Sequence, residues 1–135
     1  MTEVVPVVDN IELTARAHDF ERAHDMEPPG SYGGLIPGWF KFGPATVHYF
    51  ALESAFVDED GRIPLLGCEC GEWGCWPLLA RVVADEKTVT WTDFRQPHRK
   101  ERDYFGFGPF TFGRVEYERA LAELAEPWEL ESRRS

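Results

Sequence analysis

The chain has 135 residues, of which 43% are hydrophobic and 14% aromatic, a composition typical of one globular domain with its own core rather than of a disordered segment. Its formal net charge of −10 disfavours nucleic acid and anionic membranes as partners, because both need clustered positive charge. The sequence shows neither an apolar run that could span a bilayer nor the basic and apolar parts of a secretory signal, so we predict a cytoplasmic protein.

The N-terminal half predicts one strand, one helix and a segment rich in loops. Residues 4–8 are rich in valine and predict a strand, which Pro6 confines to a sheet edge or to the strand's start. Residues 13–25 carry apolar side chains at helical spacing. Residues 32–44 combine glycine, proline and aromatics, which is typical of an ordered loop with short extended pieces. Residues 46–56 fit either a strand or a short helix.

The second half predicts a three-stranded antiparallel meander. Its strands are expected at residues 63–70, 76–84 and 88–94, because turn-forming residues separate three runs of strand-forming side chains. In the third strand, Val89 and Trp91 alternate with threonines, so we expect these two side chains to face the core.

The C-terminal part predicts a further extended segment and a helix. Residues 104–112 contain five aromatics, two glycines and one proline, which indicates an extended piece. Residues 114–125 present an apolar face at helical spacing, and we expect Pro127 to prevent the helix from continuing. The predicted fold is therefore α+β, an antiparallel β-meander or sheet packed by an N-terminal and a C-terminal helix. Residues 1–130 are expected to form one domain and residues 131–135 a frayed tail.

All three cysteines of the chain fall within eight positions, in the pattern C-x-C-x4-C. If the first two strands of the meander pair as a hairpin, residues 71–74 form its turn, and Cys70 faces Cys75 across the ladder. Cys68 and Cys70 are two positions apart and so point to one face of their strand. We therefore expect the three sulfur atoms to converge on one side of a hairpin tip.

Two interpretations of this cluster need no reaction. In the first, the cysteines are small buried hydrophobes that let a tight glycine turn pack against tryptophan. In the second, Cys68, Cys70 and Cys75 supply three of the four ligands of a zinc site, since tetrahedral zinc binds thiolates. The fourth ligand must then come from a distant residue, and the candidates are His48, His98 or a carboxylate such as that of Asp93.

A third interpretation is thiol redox chemistry. Cross-strand partners such as Cys70 and Cys75 lie within the range of α-carbon distances that a disulfide allows. The neighbouring Glu69 and Glu72 weigh against a reactive thiolate, because negative charge raises the pKa of a thiol. An odd number of cysteines also excludes a fully paired disulfide framework.

The rest of the chain carries no recognisable catalytic motif: it has no glycine-rich phosphate loop, no nucleophile elbow and no HExxH pattern. Residues 95–102 contain four of the fourteen basic residues and are either a solvated connection or a small anion site. We therefore predict a non-enzymatic domain that binds a protein or a small ligand, with no cofactor except a possible zinc ion. The aromatic-rich residues 32–42 and 104–112 could line a groove beside the cysteines.

The cysteine segment also resembles the signature of a known group of sequences. Residues 65–78, with the pattern LLGC-x-CGE-x-GCWPL, resemble an uncharacterised family of small bacterial, largely actinobacterial, proteins. Further points of resemblance are the later V-x-W-x-x-F at residues 89–94 and the aromatic positions of residues 110–121. The resemblance implies a bacterial cytosolic protein whose hallmark is the cysteine hairpin, and it implies no particular activity.

Overall fold

The fold is built on a five-stranded antiparallel sheet, and the computed structural model describes residues 3–52 and 56–133. In chain order the elements are β1 (Val7–Val8), β2 (Ile11–Glu12), α1 (Leu13–Ala23), β3 (Tyr32–Gly33), α2 (Ala45–Tyr49), β4 (Ile63–Cys68), β5 (Leu78–Ala84), β6 (Thr88–Arg95), β7 (Phe110–Gly113) and α3 (Arg114–Ser132). The sheet order is β3-β4-β5-β6-β7, and β1 pairs with β2 in a separate ribbon. The predicted α+β class and the three-stranded meander are confirmed.

The core lies between the sheet and the helices, with Leu13 and Ala17 contributed by α1 and further buried side chains by α2 and α3. In β6 the buried side chains alternate, and Val89 and Trp91 face the core as predicted. Nε1 of Trp91 donates to the hydroxyl of Tyr117 on α3 at 3.0 Å, and that hydroxyl donates to the carbonyl of Tyr49 on α2 at 2.5 Å. This chain of hydrogen bonds ties both helices to the sheet inside a region that water does not reach.

The prediction that the last helix ends before Pro127 is wrong. Helix α3 runs from Arg114 to Ser132, with Pro127 inside it. The next residue, Trp128, is almost completely buried, and its Nε1 donates to the carbonyl of Gly43 at 2.8 Å. Proline inside a helix removes a backbone hydrogen bond and costs about 3 kcal/mol. We infer that the free energy gained by burying Trp128 outweighs this cost. Residues 134 and 135 of the predicted tail lie outside the described residues.

Three other segments differ in detail from the sequence prediction. Residues 46–56, which fitted either a strand or a helix, contain α2, although residues 53–55 lie outside the described part. Only the end of the predicted extended segment 104–112 belongs to a strand, β7. The N-terminal valines contribute β1 and one isolated bridge, from Val4 to Leu35. In residues 3–52 and 56–133, every helix is too short or too polar to cross a lipid bilayer.

Candidate metal centre

The three cysteines lie on and just after the end of β4, in a connection that is longer than the predicted turn. Strand β4 ends at Cys68, β5 begins at Leu78, and a single 3-10 turn spans Trp73–Cys75. We call residues 68–77 the cysteine loop. The last cross-strand pair is Leu66 with Leu78, so the predicted pairing of Cys70 with Cys75 across the ladder is wrong.

The loop leaves the predicted hairpin because the backbone of Trp73 packs closely on Gly67. A β-carbon at this position would lie 2.7 Å from the α-carbon of Trp73, so only glycine allows the loop to fold back over the end of β4. The outer edge of β4 is also already in use, because Cys68 pairs with Tyr32 of β3. The loop therefore curls above the sheet instead of extending the hairpin.

The three sulfur atoms nevertheless converge, as predicted. The Sγ atoms of Cys68, Cys70 and Cys75 all lie within 4.8 Å of one another. In a tetrahedral zinc site with Zn–S bonds of about 2.3 Å, neighbouring sulfurs are roughly 3.8 Å apart, so small side-chain rotations would complete such a site. Cys70 and Cys75 are exposed and Cys68 is half-buried, so the interpretation of the cysteines as buried hydrophobes is wrong for the exposed pair.

The surroundings of Cys68 and Cys70 shift the pKa values of their thiols in opposite directions. Burial raises the pKa of the Cys68 thiol to about 11, which makes Cys68 a hydrogen-bond donor to its neighbour. That donation, followed by the backbone N–H of Glu72, lowers the pKa of Cys70. The acidic neighbours predict raised thiol pKa values. The pKa of Cys70 is lowered instead, because the Cys68 thiol and then the backbone N–H of Glu72 donate to its sulfur.

A backbone hydrogen bond also supports the sulfur cluster. The backbone N–H of Cys70 donates to Sγ of Cys68 at 3.4 Å. Donors of this kind favour the thiolate form, which is the form that binds a metal ion.

The candidate fourth ligands occupy different positions. His48 is fully buried, its Nε2 lies 2.9 Å from the carbonyl of Pro64, and burial lowers its pKa to about 4. His98 is exposed, and its Nε2 lies 2.6 Å from the carbonyl of Gly74, the residue before Cys75. Asp93 pairs with two arginines instead. Within the described ranges, no histidine or carboxylate ligand atom joins the three sulfurs.

Two tryptophans hold the loop from either side. Nε1 of Trp76 donates to the carbonyl of Gly30 at 2.8 Å, and the guanidinium groups of Arg99 and Arg102 lie 4.8 and 5.3 Å from a Trp76 ring centroid. Trp39 packs so closely on Gly71 that any side chain there would clash with its ring. Gly71 also has φ +100°, a conformation that glycine adopts without strain. These contacts join the cysteine loop to distant parts of the chain.

Sequence reasoning missed a second polar cluster, which lies beside the loop. Glu21 is fully buried and accepts hydrogen bonds from the hydroxyls of Tyr32 and Tyr104, both at 2.6 Å, and from the backbone N–H of Gly30 at 2.7 Å. Nη1 of Arg102 lies 3.2 Å from the same carboxylate, an ion pair whose angle is too poor for a hydrogen bond. We call these five residues the Glu21 cluster.

The signal for this cluster was present in the sequence. Leu13, Ala17 and Glu21 follow one another at intervals of four along α1, so a carboxylate sits on the buried face of the helix. A buried carboxylate requires donors, and the tyrosines and the arginine supply them.

No protein-family model, curated protein or solved structure matches this chain. The resemblance of the cysteine segment to an actinobacterial family therefore stays a prediction.

Proposed function

We propose that this protein is a non-enzymatic binding domain that holds a thiophilic metal ion, zinc in the first place, through Cys68, Cys70 and Cys75. The observation that carries the proposal is the convergence of three sulfurs within 4.8 Å of one another on a clamped loop. Because the loop is held by packing and hydrogen bonds, a metal ion that binds there pays little of the ordering cost that a flexible loop would impose.

The thiol chemistry supports the same proposal. The pKa of Cys70 is lowered, so this sulfur is the first to present a thiolate to an incoming cation. A bound divalent ion then favours deprotonation of the other two thiols, including Cys68, whose pKa is raised by burial. Such a site needs reduced cysteines, which fits the cytoplasm of a bacterium better than an oxidising compartment.

His98 is the better of the two predicted histidines for the fourth position. Its ring already contacts the loop at Gly74, whereas His48 is enclosed in the core with its Nε2 on the Pro64 carbonyl. To reach a metal ion, His98 has to exchange one hydrogen bond on an exposed surface. Until it does so, water or a group of a partner molecule completes the coordination.

The test measures zinc content and affinity. Untagged wild-type protein should bind about one equivalent of zinc, and Cys68→Ser, Cys70→Ser and Cys75→Ser should each weaken binding by at least ~100-fold in competition with a chromophoric chelator. His98→Gln should weaken it by about 10-fold. His24→Gln is the matched control, because its exposed ring stacks on Phe20 of the same helix, and it should leave affinity unchanged.

Two results would contradict the metal proposal. One is a zinc content below about a tenth of an equivalent, together with a melting temperature that does not respond to a chelator. The other is equal zinc binding by the wild type and all three serine variants. The absorption of bound Co²⁺ then reports the geometry, since thiolate charge-transfer bands appear only when the sulfurs are ligands.

A second candidate function is thiol redox chemistry, which the lowered pKa and the exposure of Cys70 favour. Glutathione disulfide would accept two electrons from two of the thiols, giving one protein disulfide and two molecules of glutathione. Free-thiol titration before and after incubation with glutathione disulfide tests this idea. If metal-free protein still has three free thiols after the incubation, redox chemistry is excluded. If zinc-loaded protein has only one free thiol afterwards, the metal does not protect the cysteines from oxidation.

A further inference from the structure

A polar cavity of about 720 Å³ lies between the C-terminal half of β6 and the loop of residues 100–109. Its volume falls within the range of pockets that bind small molecules. It involves neither the cysteines nor their tryptophan supports, and it includes part of the basic segment 95–102 that the metal proposal leaves without a role.

The lining of the cavity carries more cationic than acidic side chains, although the protein as a whole is strongly acidic. Four cationic and two acidic side chains line it: Arg62, Arg95, Lys100, Arg102, Asp93 and Asp103. In a chain with a formal net charge of −10, cationic side chains grouped around a concave surface are the groups that can attract a small anion.

Two of the four cationic side chains, Arg62 and Arg102, already form ion pairs within the protein. Arg62 is buried and pairs with Asp58 and Asp60 at 3.0 and 2.8 Å, as well as with Asp93. Arg102 pairs with Glu21 and donates to a backbone carbonyl. Both line the cavity, and the carboxylates that pair with them largely compensate their positive charges.

The other two cations are available to a ligand. Lys100 is exposed and makes no hydrogen bond or ion pair in the part of the chain that is described. Arg95 lies 3.5 Å from Glu59 and 3.6 Å from Asp60, whereas a strong charged hydrogen bond measures about 2.8 Å. An anion in the cavity could therefore bind both groups without breaking a strong contact.

The rim of the cavity carries an exposed aromatic ring. Phe105 is 90% exposed, while Tyr104 and Phe107 on either side of it are buried. The backbone N–H of Phe105 donates to the carboxylate of Asp103 at 2.9 Å, which fixes the turn that presents the ring. A phenyl side chain exposed to water on the lining of the same cavity as Arg95 and Lys100 offers a stacking surface to a planar ligand.

We infer that this cavity binds a small anionic molecule that carries a flat ring, with its anionic group between Lys100 and Arg95 and its ring on Phe105. The inference does not depend on the metal proposal, because the two sites share no residue.

The test is calorimetric titration of the full chain with phenyl phosphate and with inorganic phosphate at low ionic strength. Phenyl phosphate should bind with a Kd of about 1 mM or below, and about 10-fold more tightly than phosphate. Lys100→Gln and Arg95→Gln should each weaken phenyl phosphate binding by about 10-fold. Phe105→Ala should remove the preference for phenyl phosphate and leave phosphate binding within about twofold.

Lys87→Gln is the matched control. It removes the same charge at an exposed position in the turn between β5 and β6, roughly 25 Å along the strand from Arg95, and should change affinity less than twofold. The inference is overturned if phenyl phosphate shows no saturable binding up to about 10 mM, or if Lys87→Gln weakens binding as much as Lys100→Gln. It is also overturned if Phe105→Ala leaves the preference for phenyl phosphate unchanged.

Discussion

The Glu21 cluster and the cysteine loop are neighbouring groups of polar atoms that differ in what those atoms contact. In the Glu21 cluster, one fully buried carboxylate accepts hydrogen bonds from two tyrosines and a backbone N–H and pairs with an arginine. In the cysteine loop, two of three sulfurs are exposed and their side-chain partners are one another. The carboxylate of the first cluster is satisfied by hydrogen-bond donors and a counter-charge within the protein. The exposed sulfurs of the second are open to a ligand from solvent.

The two clusters also differ in how their titratable groups respond to pH. Burial raises the pKa of Tyr104 to about 12 and raises that of Tyr32 still further, so both phenols remain hydrogen-bond donors at any physiological pH. The thiols of Cys68 and Cys70 shift in opposite directions, so their proton distribution responds to pH and to a cation. The Glu21 cluster therefore keeps its protonation state over the physiological pH range, whereas the thiols are the groups that our proposal assigns to metal binding.

The largest effect on stability is expected from Glu21→Gln. This change leaves Arg102 buried without its counter-charge and should lower the free energy of unfolding by about 3–5 kcal/mol. Zinc stoichiometry should not change, because the sulfurs are untouched. Glu118→Gln, which removes an exposed pair with Arg114, should cost no more than about 0.5 kcal/mol. Urea unfolding measures both variants, and equal losses would remove the distinction between the clusters.

A smaller effect is expected from the buried His48 as pH falls. Its pKa is about 4 in the folded protein, below the ordinary value of 6.5. The unfolded chain therefore takes up a proton first, and stability present above pH 6.5 is lost as pH decreases toward 4. Between pH 6.5 and 5 this loss should amount to about 1.5 kcal/mol.

The variant His48→Gln isolates this contribution. Glutamine can still donate to the Pro64 carbonyl but does not titrate, so the pH dependence of urea unfolding between pH 5 and 6.5 should flatten. His24→Gln, at an exposed position, is the control and should keep the wild-type slope. A wild-type slope in His48→Gln would show that other groups carry the pH dependence.

A change at the contact between the clusters should affect both. Trp76→Phe removes the 2.8 Å hydrogen bond to Gly30 and keeps an aromatic ring under Arg99 and Arg102. We expect a loss of about 1 kcal/mol in the free energy of unfolding, and several-fold weaker zinc binding because the loop is less well ordered. Thermal unfolding and chelator competition measure the two quantities. An unchanged zinc affinity would mean that Trp76 supports the scaffold alone.

Local patterns in the sequence predicted the fold class and the meander, because alternation and turn residues are local signals. The alternation of Val89 and Trp91 is an example, since burial of one face of β6 needs no information about distant residues. The course of α3 was not predictable in this way. Its continuation past Pro127 depends on the pocket that receives Trp128, which includes the distant carbonyl of Gly43.

The sequence predicted that the three sulfurs converge but not the backbone path that brings them together. Spacing alone brought Cys68, Cys70 and Cys75 together, whereas the ladder register failed because Gly67 lets Trp73 approach β4 from above. The Glu21 cluster was missed because its members are up to 83 positions apart. Nothing local in a sequence pairs a glutamate with a tyrosine at that distance, although the carboxylate on the apolar face of α1 does indicate that a partner is needed.

The smallest change in stability is expected from Cys70→Ser in metal-free protein. The side chain is exposed, so the melting temperature of the variant should stay within experimental error of the wild type. With zinc at about 100 times its Kd, the wild type should gain about 2.7 kcal/mol, and Cys70→Ser should not. Thermal unfolding with and without zinc measures both. A large loss in the metal-free variant would make the cysteine loop part of the scaffold, like the Glu21 cluster, because a stability role would then exist before any ligand binds.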